Sequence, residues 1–257
     1  MSLLLTDEQK MIRDLAKNFA TKKVAPLAAE MDLTGEIHPD LIQELADVGF
    51  LGINIPEAYG GTGMDNIAKC LMIMEIAKVC ASTAELIAVH TLTNEIILKN
   101  GTEEQKKKYL VPLASGEKLG AFGLTEPGAG TDAQGQQTKA VLDGDEWVLN
   151  GSKCFITNGK EADIYIIIAV TGIIEKRGRK VKEISAFIVE KDTPGFTFGT
   201  KEKKMGIRGS STYELIFEDC RIPKENLLGA QGKGFGIAMH TLDGGPIGIA
   251  AQALGLA

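Results

Sequence analysis

Two periods of apolar residues divide the chain. From about residue 6 to 118 the apolar positions recur at helical spacing, and from about residue 119 they alternate or run in short blocks between glycine turns. Thr6 followed by Gln9 is a capping box, and Ile12, Leu15, Ala16 and Phe19 form one stripe, so a first helix is predicted there, ended or bent by Pro26. Pro39 is in the favoured first-turn position of a second helix that turns Leu41, Ile42, Leu45 and Ala46 inward. After a loop at residues 56–63, two more helices are predicted over roughly 65–80 and 83–99, the latter stopped by Asn100-Gly101 as a left-handed cap. The former carries Leu71, Met72, Ile73, Met74 and Ile76 and is apolar nearly all round, which makes it central, its methionines core filler. Thr102 with Gln105 caps a short helix whose solvated face is Lys106-Lys107-Lys108.

Past residue 119, Lys139–Leu142 and Glu146–Leu149 read as a β-hairpin around Asp143-Gly144-Asp145, with a further turn at Asn150-Gly151. Ile164–Val170 is a buried strand, Ile184–Val189 its partner, and Thr212–Phe217 another strand. Helices followed by a run of short strands give an α+β fold: an N-terminal helical domain (1–118), then a small β-barrel or sandwich (119–229). Residues 230–257 turn helical again, as only the start of a C-terminal helical bundle. Their stretch from Ile247 to Ala257 is uncharged and apolar, and is expected to be disordered, fold back, or pack against another copy.

Composition narrows the function. A formal charge of −6 over 257 residues argues against general nucleic-acid affinity. The start Met1-Ser2-Leu3-Leu4-Leu5 has no basic n-region, and no run of about 18 apolar residues exists to span a membrane. Cys70, Cys80, Cys154 and Cys220 show no zinc spacing and read as free thiols of a cytoplasmic protein. His38, His90 and His240 fit no metal or triad pattern.

The candidate chemistry lies in Leu124-Thr125-Glu126-Pro127-Gly128-Ala129-Gly130-Thr131-Asp132, answered by Phe155-Ile156-Thr157-Asn158-Gly159. Gly128 and Gly130 permit close backbone approach and positive φ, Thr125 and Thr131 offer hydroxyls, and free amides can cradle an anion. The alternative is an ordinary Gly-rich surface turn. The stretch is neither a P-loop nor a Rossmann fingerprint. Lys176, Arg177, Arg179, Lys180 and Lys182 form a basic loop that reads as a charged hairpin tip or a phosphate grip.

Those two segments, with Met205–Ser211, Phe217-Glu218-Asp219, Ile222–Gly229 and Thr241-Leu242-Asp243-Gly244-Gly245, resemble the acyl-CoA dehydrogenase family through the whole chain and in order. Gly135-Gln136-Gln137-Thr138 is most like the bacterial short-chain (butyryl-CoA) members. The resemblance implies FAD between the middle β-domain and a C-terminal four-helix bundle. It implies oxidation of a short-chain acyl-CoA to the trans-2-enoyl-CoA, with α-proton removal by a glutamate and β-hydride transfer to the flavin. Electrons then pass to electron-transferring flavoprotein, and the full-length enzymes are tetramers. By motif, Phe122, Leu124 and Thr125 would edge the isoalloxazine; Gly130 and Thr131 would meet the pyrophosphate, Thr131 also the substrate. Phe155, Ile156 and Thr157 would back the ring, and Asp243, Gly244, Gly245 and Pro246 would meet the acyl-CoA. No metal is implied.

The sequence departs from the family in two places. The glutamate base and nearly all of the bundle would lie beyond Ala257, and Glu126 reads as a loop-structuring residue rather than a base. Pro246 stands where the family usually has an arginine, removing a charge and an amide donor. Two functions stay open: a short-chain acyl-CoA dehydrogenase, or a folded two-domain fragment with at most weak FAD or partner binding. Isovaleryl or glutaryl specificity is a weaker variant of the first.

Overall fold

The computed structural model describes residues 4–176 and 178–257. Helix α1 (Asp7–Phe19) begins on the expected capping box: the Thr6 hydroxyl accepts the Gln9 amide at 3.2 Å, and the Gln9 side chain accepts the Thr6 amide at 3.0 Å. A π-helical turn at Ala20–Val24 leads into α2 (Ala25–Thr34), where Pro26 occupies the first turn and tolerates its missing N–H. Helix α3 (Pro39–Asp47) opens on its proline, and α4 (Asn66–Ala77) and α5 (Ala81–Asn100) follow. The left-handed cap expected at Gly101 is absent: its φ is −77° and ψ 150°. Thr102 opens α6 (Glu103–Gln105) at once, and that helix start calls for an extended approach. Glycine is needed there for room, since a Cβ would lie 2.7 Å from the Ile97 carbonyl. The short α7 (Val111–Ala114) ends the helical region. As its composition required, α4 is central: Met72, Ile73 and Ile76 are fully buried with Phe19, Leu41, Leu45 and Phe50.

Among the described residues eight strands form one curled sheet. They are β1 (Gly120–Gly123), β2 (Lys139–Asp143), β3 (Glu146–Thr157), β4 (Ile164–Lys176), β5 (Arg179–Glu190), β6 (Phe196–Lys201), β7 (Thr212–Pro223) and β8 (Leu227–Leu228). The order is β6-β7-β3-β2-β4-β5-β8, and β1 runs parallel beside β4 from Gly120↔Ile164 to Gly123↔Ile167. Strand alternation sends β4 into two cores. Ile164, Ile166 and Ile168 pack toward Ile96, Ile97 and Tyr109 of the helical region, while Tyr165 and Ile167 join Trp147, Phe187, Phe196 and Phe217 inside the curl.

Two sequence expectations give way to the structure. Asn150-Gly151 is not a turn; β3 runs on through it with a bulge, and the Gly151 site lies so close to Thr138 that a Cβ would sit 2.6 Å from its hydroxyl. Lys176, Arg179, Lys180 and Lys182 lie within the paired strands β4 and β5 rather than in a loop, and Arg177 lies outside the described residues. Of the three outcomes expected for the C-terminal stretch, the structure shows the fold-back. The stretch is the second half of one helix, α8 (Gly234–Leu256), which folds back on α4 and α5. Gly248, Ala251, Gln252 and Gly255, at helical spacing, are buried there, and the Gln252 amide donates to the Ala81 carbonyl at 2.8 Å. Among the described residues no helix is long and apolar enough to cross a membrane.

Candidate functional site

Strand β1 delivers the chain to the rim of the sheet, where the Leu124–Asp132 loop begins. Leu124 is buried, and the Thr125 carbonyl accepts the Cys154 amide at 2.9 Å, joining the two segments singled out by sequence. Reciprocal amide–carbonyl bonds of 3.2 and 3.0 Å between Glu126 and Ala129 close a tight turn, leaving Pro127 and Gly128 at an exposed tip. Neither Gly128 nor Gly130 has a positive φ, contrary to expectation, and a Cβ at either would meet nothing within 4 Å. What these glycines provide is uncovered backbone beside the exposed Thr131 and Asp132.

The loop is anchored from inside. Lys153 of β3, with a side chain 0% exposed, donates to Glu126 Oε1 at 2.7 Å, the Leu124 carbonyl at 3.1 Å and Gln136 Oε1 at 3.2 Å. Glu126 also accepts the amides of Gln137 at 2.5 Å and Thr138 at 3.0 Å. Burial pushes the Lys153 pKa down to about 8, with the Glu126 hydrogen bond opposing it. Burial also works against the Glu126 carboxylate, but its bonds from Lys153 and the Gln137 amide outweigh that and hold it low. Glu126 is thus a structural residue of the loop. From the other side, Lys182 donates to the Gly135 and Gln136 carbonyls at 3.0 and 2.7 Å.

Next to Lys153 the ladder between β3 and β7 is broken by a bulge between Lys153 and Ile156. Phe155 sits in it with φ 59° and is 63% exposed, an unusual state for a large aromatic on a paired strand. Ile156 points into the sheet core, and Thr157 is half-buried. Asn158, with φ 60°, donates its side-chain amide to the Leu86 and Gly120 carbonyls and so locks the segment to α5 and β1. Phe122 is half-buried on β1. The structure therefore brings Leu124, Thr125, Phe155, Ile156 and Thr157 into one neighbourhood, with Gly130 and Thr131 on the exposed arm of the loop.

The second group lies apart from it. A cleft of about 710 Å³ runs between Asp132, Gln134 and Gly135 of the loop, Lys176, Lys180 and Lys182 of the hairpin, and Lys233 and Phe235 at the start of α8. Asp243, Gly244, Gly245 and Pro246 line no part of it; Asp243 is seven residues beyond Gly236, roughly 10 Å further along the helix axis. Gly245 faces Leu92 of α5, while Asp243, Gly244 and Pro246 are exposed.

His90 ties α5 to β1 and α7. It is fully buried; its Nδ1 accepts the Gly120 amide at 3.1 Å and its Nε2 reaches the Leu113 carbonyl at 3.0 Å. Burial lowers its pKa to about 4. Among the described residues no cluster of metal-ligating side chains occurs. Sequence reasoning missed Lys153, Lys182 and Asn158 as organisers. A lysine at an inward position of a strand was the available signal, but its partners sit as far as 29 residues away.

Helices, curled sheet and glycine–threonine loop in this arrangement define a family. The chain belongs to the acyl-CoA dehydrogenases: models of the acyl-CoA dehydrogenase N-terminal domain and middle domain match residues 6–117 and 121–220. It is 52% identical, over 258 residues, to the short-chain specific acyl-CoA dehydrogenase of Clostridium acetobutylicum, covering all of this chain and 67% of that protein. The structure of butyryl-CoA dehydrogenase from Megasphaera elsdenii superposes with a TM-score of 0.93 at 51% identity, covering 99% of this chain and 67% of that one. A chain in the structure described as "Electron transferring flavoprotein of Acidaminococcus fermentans" gives a TM-score of 0.93 at 53% identity, with 99% and 66% covered. The chain thus spans about two thirds of the length of these relatives.

Proposed function

We propose that this chain is the flavin-binding part of a short-chain acyl-CoA dehydrogenase, with a helical domain (1–118), a flavin-binding β-domain (119–229) and the start of a helical bundle (230–257). The observation that carries the reading is the pairing of the Thr125 carbonyl with the Cys154 amide, which sets an open glycine–threonine loop beside an outward-facing Phe155. The residues present fit FAD. Gly128 and Gly130 leave room for close backbone approach, the exposed Thr131 offers a hydroxyl to a phosphate, and the exposed Phe155 offers an aromatic face. Phe122, Leu124 and Thr125 edge the ring, and Ile156, being buried, contributes through its backbone beside Thr157.

Held by these residues, FAD would supply the hydride acceptor for oxidation of a short-chain acyl-CoA to its trans-2-enoyl-CoA, the α-proton going to the glutamate that the resemblance implies. The chain's own share is to hold the ring, keep water from its face and receive the thioester along α8, with Asp243–Pro246 in the substrate path. Lys176, Lys180 and Lys233 against Asp132 and Glu183 in the 710 Å³ cleft suit the phosphate-bearing end of CoA, while Lys182 is engaged by the Gly135 and Gln136 carbonyls. Electron-transferring flavoprotein is the proposed electron acceptor, a homo-oligomer the working form, and the cytoplasm its place.

Glu126, the one carboxylate of the Leu124–Ala129 turn, is sealed in its ion pair and cannot serve as the base. That favours the second reading for the chain on its own: flavin binding without turnover. Anaerobic butyryl-CoA added to FAD-loaded protein is expected to perturb the flavin band without bleaching it. Bleaching at the rate of a complete short-chain dehydrogenase would overturn this.

A further inference from the structure

We propose that Lys153 is a positioning residue for the bound flavin: its buried ammonium locks the Leu124–Asp132 loop to the bulge that presents Phe155. The inference rests on the FAD reading above.

All three acceptors of Lys153 come from the segment it would position: the Leu124 carbonyl where the loop leaves β1, Glu126 in the turn, and Gln136 where the chain heads back to the sheet. Glu126 relays the hold to the Gln137 and Thr138 amides. Both ends of the loop therefore converge on one ammonium, and Gly128, Gly130 and Thr131 are the part left outside. On the strand side, Lys153 is the last paired residue before the bulge. The next amide, of Cys154, goes to Thr125, and the next side chain, of Phe155, points outward. A single side chain thereby fixes the spacing between the loop and the aromatic face.

Buried ion pairs are poor evidence for stability, because well-packed apolar replacements of both partners are often neutral or better, whereas removing one partner is strongly destabilising. A pair kept only for stability would be replaceable by two methionines without effect on the ligand. A pair kept for position would not be.

The test compares the wild-type chain, Lys153→Met, and the double variant Lys153→Met/Glu126→Met. FAD dissociation constants come from quenching of flavin fluorescence and are referred to the folded fraction, read in the same samples by circular dichroism. Lost fold then does not register as lost binding. Lys153→Met is expected to lower the melting temperature and weaken FAD. The double variant removes the uncompensated Glu126 charge but also leaves the Gln137 and Thr138 amides without their acceptor, and it is expected to bind FAD at least about tenfold more weakly per folded molecule, with its visible flavin band displaced. A double variant with wild-type affinity and band position overturns the positioning role and leaves the FAD reading standing. A wild-type chain that takes up no flavin overturns that reading, and this inference with it.

Discussion

The Thr125 carbonyl accepts the Cys154 amide at 2.9 Å, and this bond joins two segments that are 29 residues apart in sequence. It fixes where the glycine–threonine loop stands relative to Phe155. Neither segment makes a site by itself: the loop alone is a surface turn, and the bulge alone is an exposed ring without a counterpart.

The loop's glycines separate stability from binding. A Cβ at Gly128 or Gly130 meets no neighbouring atom, and neither residue uses positive φ. Gly128→Ala and Gly130→Ala are expected to change unfolding free energy by less than about 0.5 kcal/mol. FAD binding, followed by fluorescence titration, should weaken by about tenfold or more, because each methyl occupies space that the approaching ligand needs. Unchanged affinity in both would show that the ligand does not approach this backbone.

Phe155→Ala removes a ring that contributes little to the core. Titration should show FAD weakened by about tenfold, since an aromatic stacking contact is worth about 0.5–1.5 kcal/mol, a factor of ten being 1.4 kcal/mol. Chemical denaturation should find stability nearly unchanged.

His90 gives the fold a pH dependence. Gly120 donates to its Nδ1, so protonation would set one N–H against another. Its folded pKa of about 4 lies below the ordinary 6.5, so the unfolded chain takes up the proton first. Stability from this group is complete above pH 6.5 and is lost as pH falls toward 4, amounting to about 2 kcal/mol at pH 5. His90→Gln, which keeps a donor and an acceptor, should flatten that part of the urea-unfolding profile. A variant profile parallel to wild type between these limits would assign the slope to other groups.

Gly255 tests the docking of α8. A Cβ there would lie 2.3 Å from the Met74 carbonyl, backbone that cannot swing aside. Gly255→Ala is therefore expected to cost about 1–3 kcal/mol in urea unfolding, or to release the end of α8, visible as faster amide exchange beyond Gly248. Neither effect would mean that the helix does not pack on α4.

Much of the fold was legible because its signals are local. Capping boxes at Thr6 and Thr102, the proline at 39 and the isoleucine run of β4 each act within a few residues. Strand β1 was not legible. Its four residues, Gly120-Ala121-Phe122-Gly123, become a strand only by lying parallel to β4, some forty residues later in the chain. For helix α8 three outcomes stayed open for a similar reason: the face that buries Gly248, Ala251 and Gly255 is apolar in sequence, but the partner that covers it, α4, lies far upstream. Of the site, the exposed parts were legible as motifs. The parts that hold them, Lys153, Lys182 and Asn158, act through long-range bonds that no spacing encodes.

We propose that the loop and the Phe155 segment form a flavin site within this chain. The decisive measurement mixes the purified protein with excess FAD, removes the unbound ligand by desalting, and records the visible spectrum. A flavin site here gives a retained, stoichiometric flavin band. A spectrum with no flavin band would contradict it, and would mean that these residues, correctly folded, do not hold the cofactor on their own.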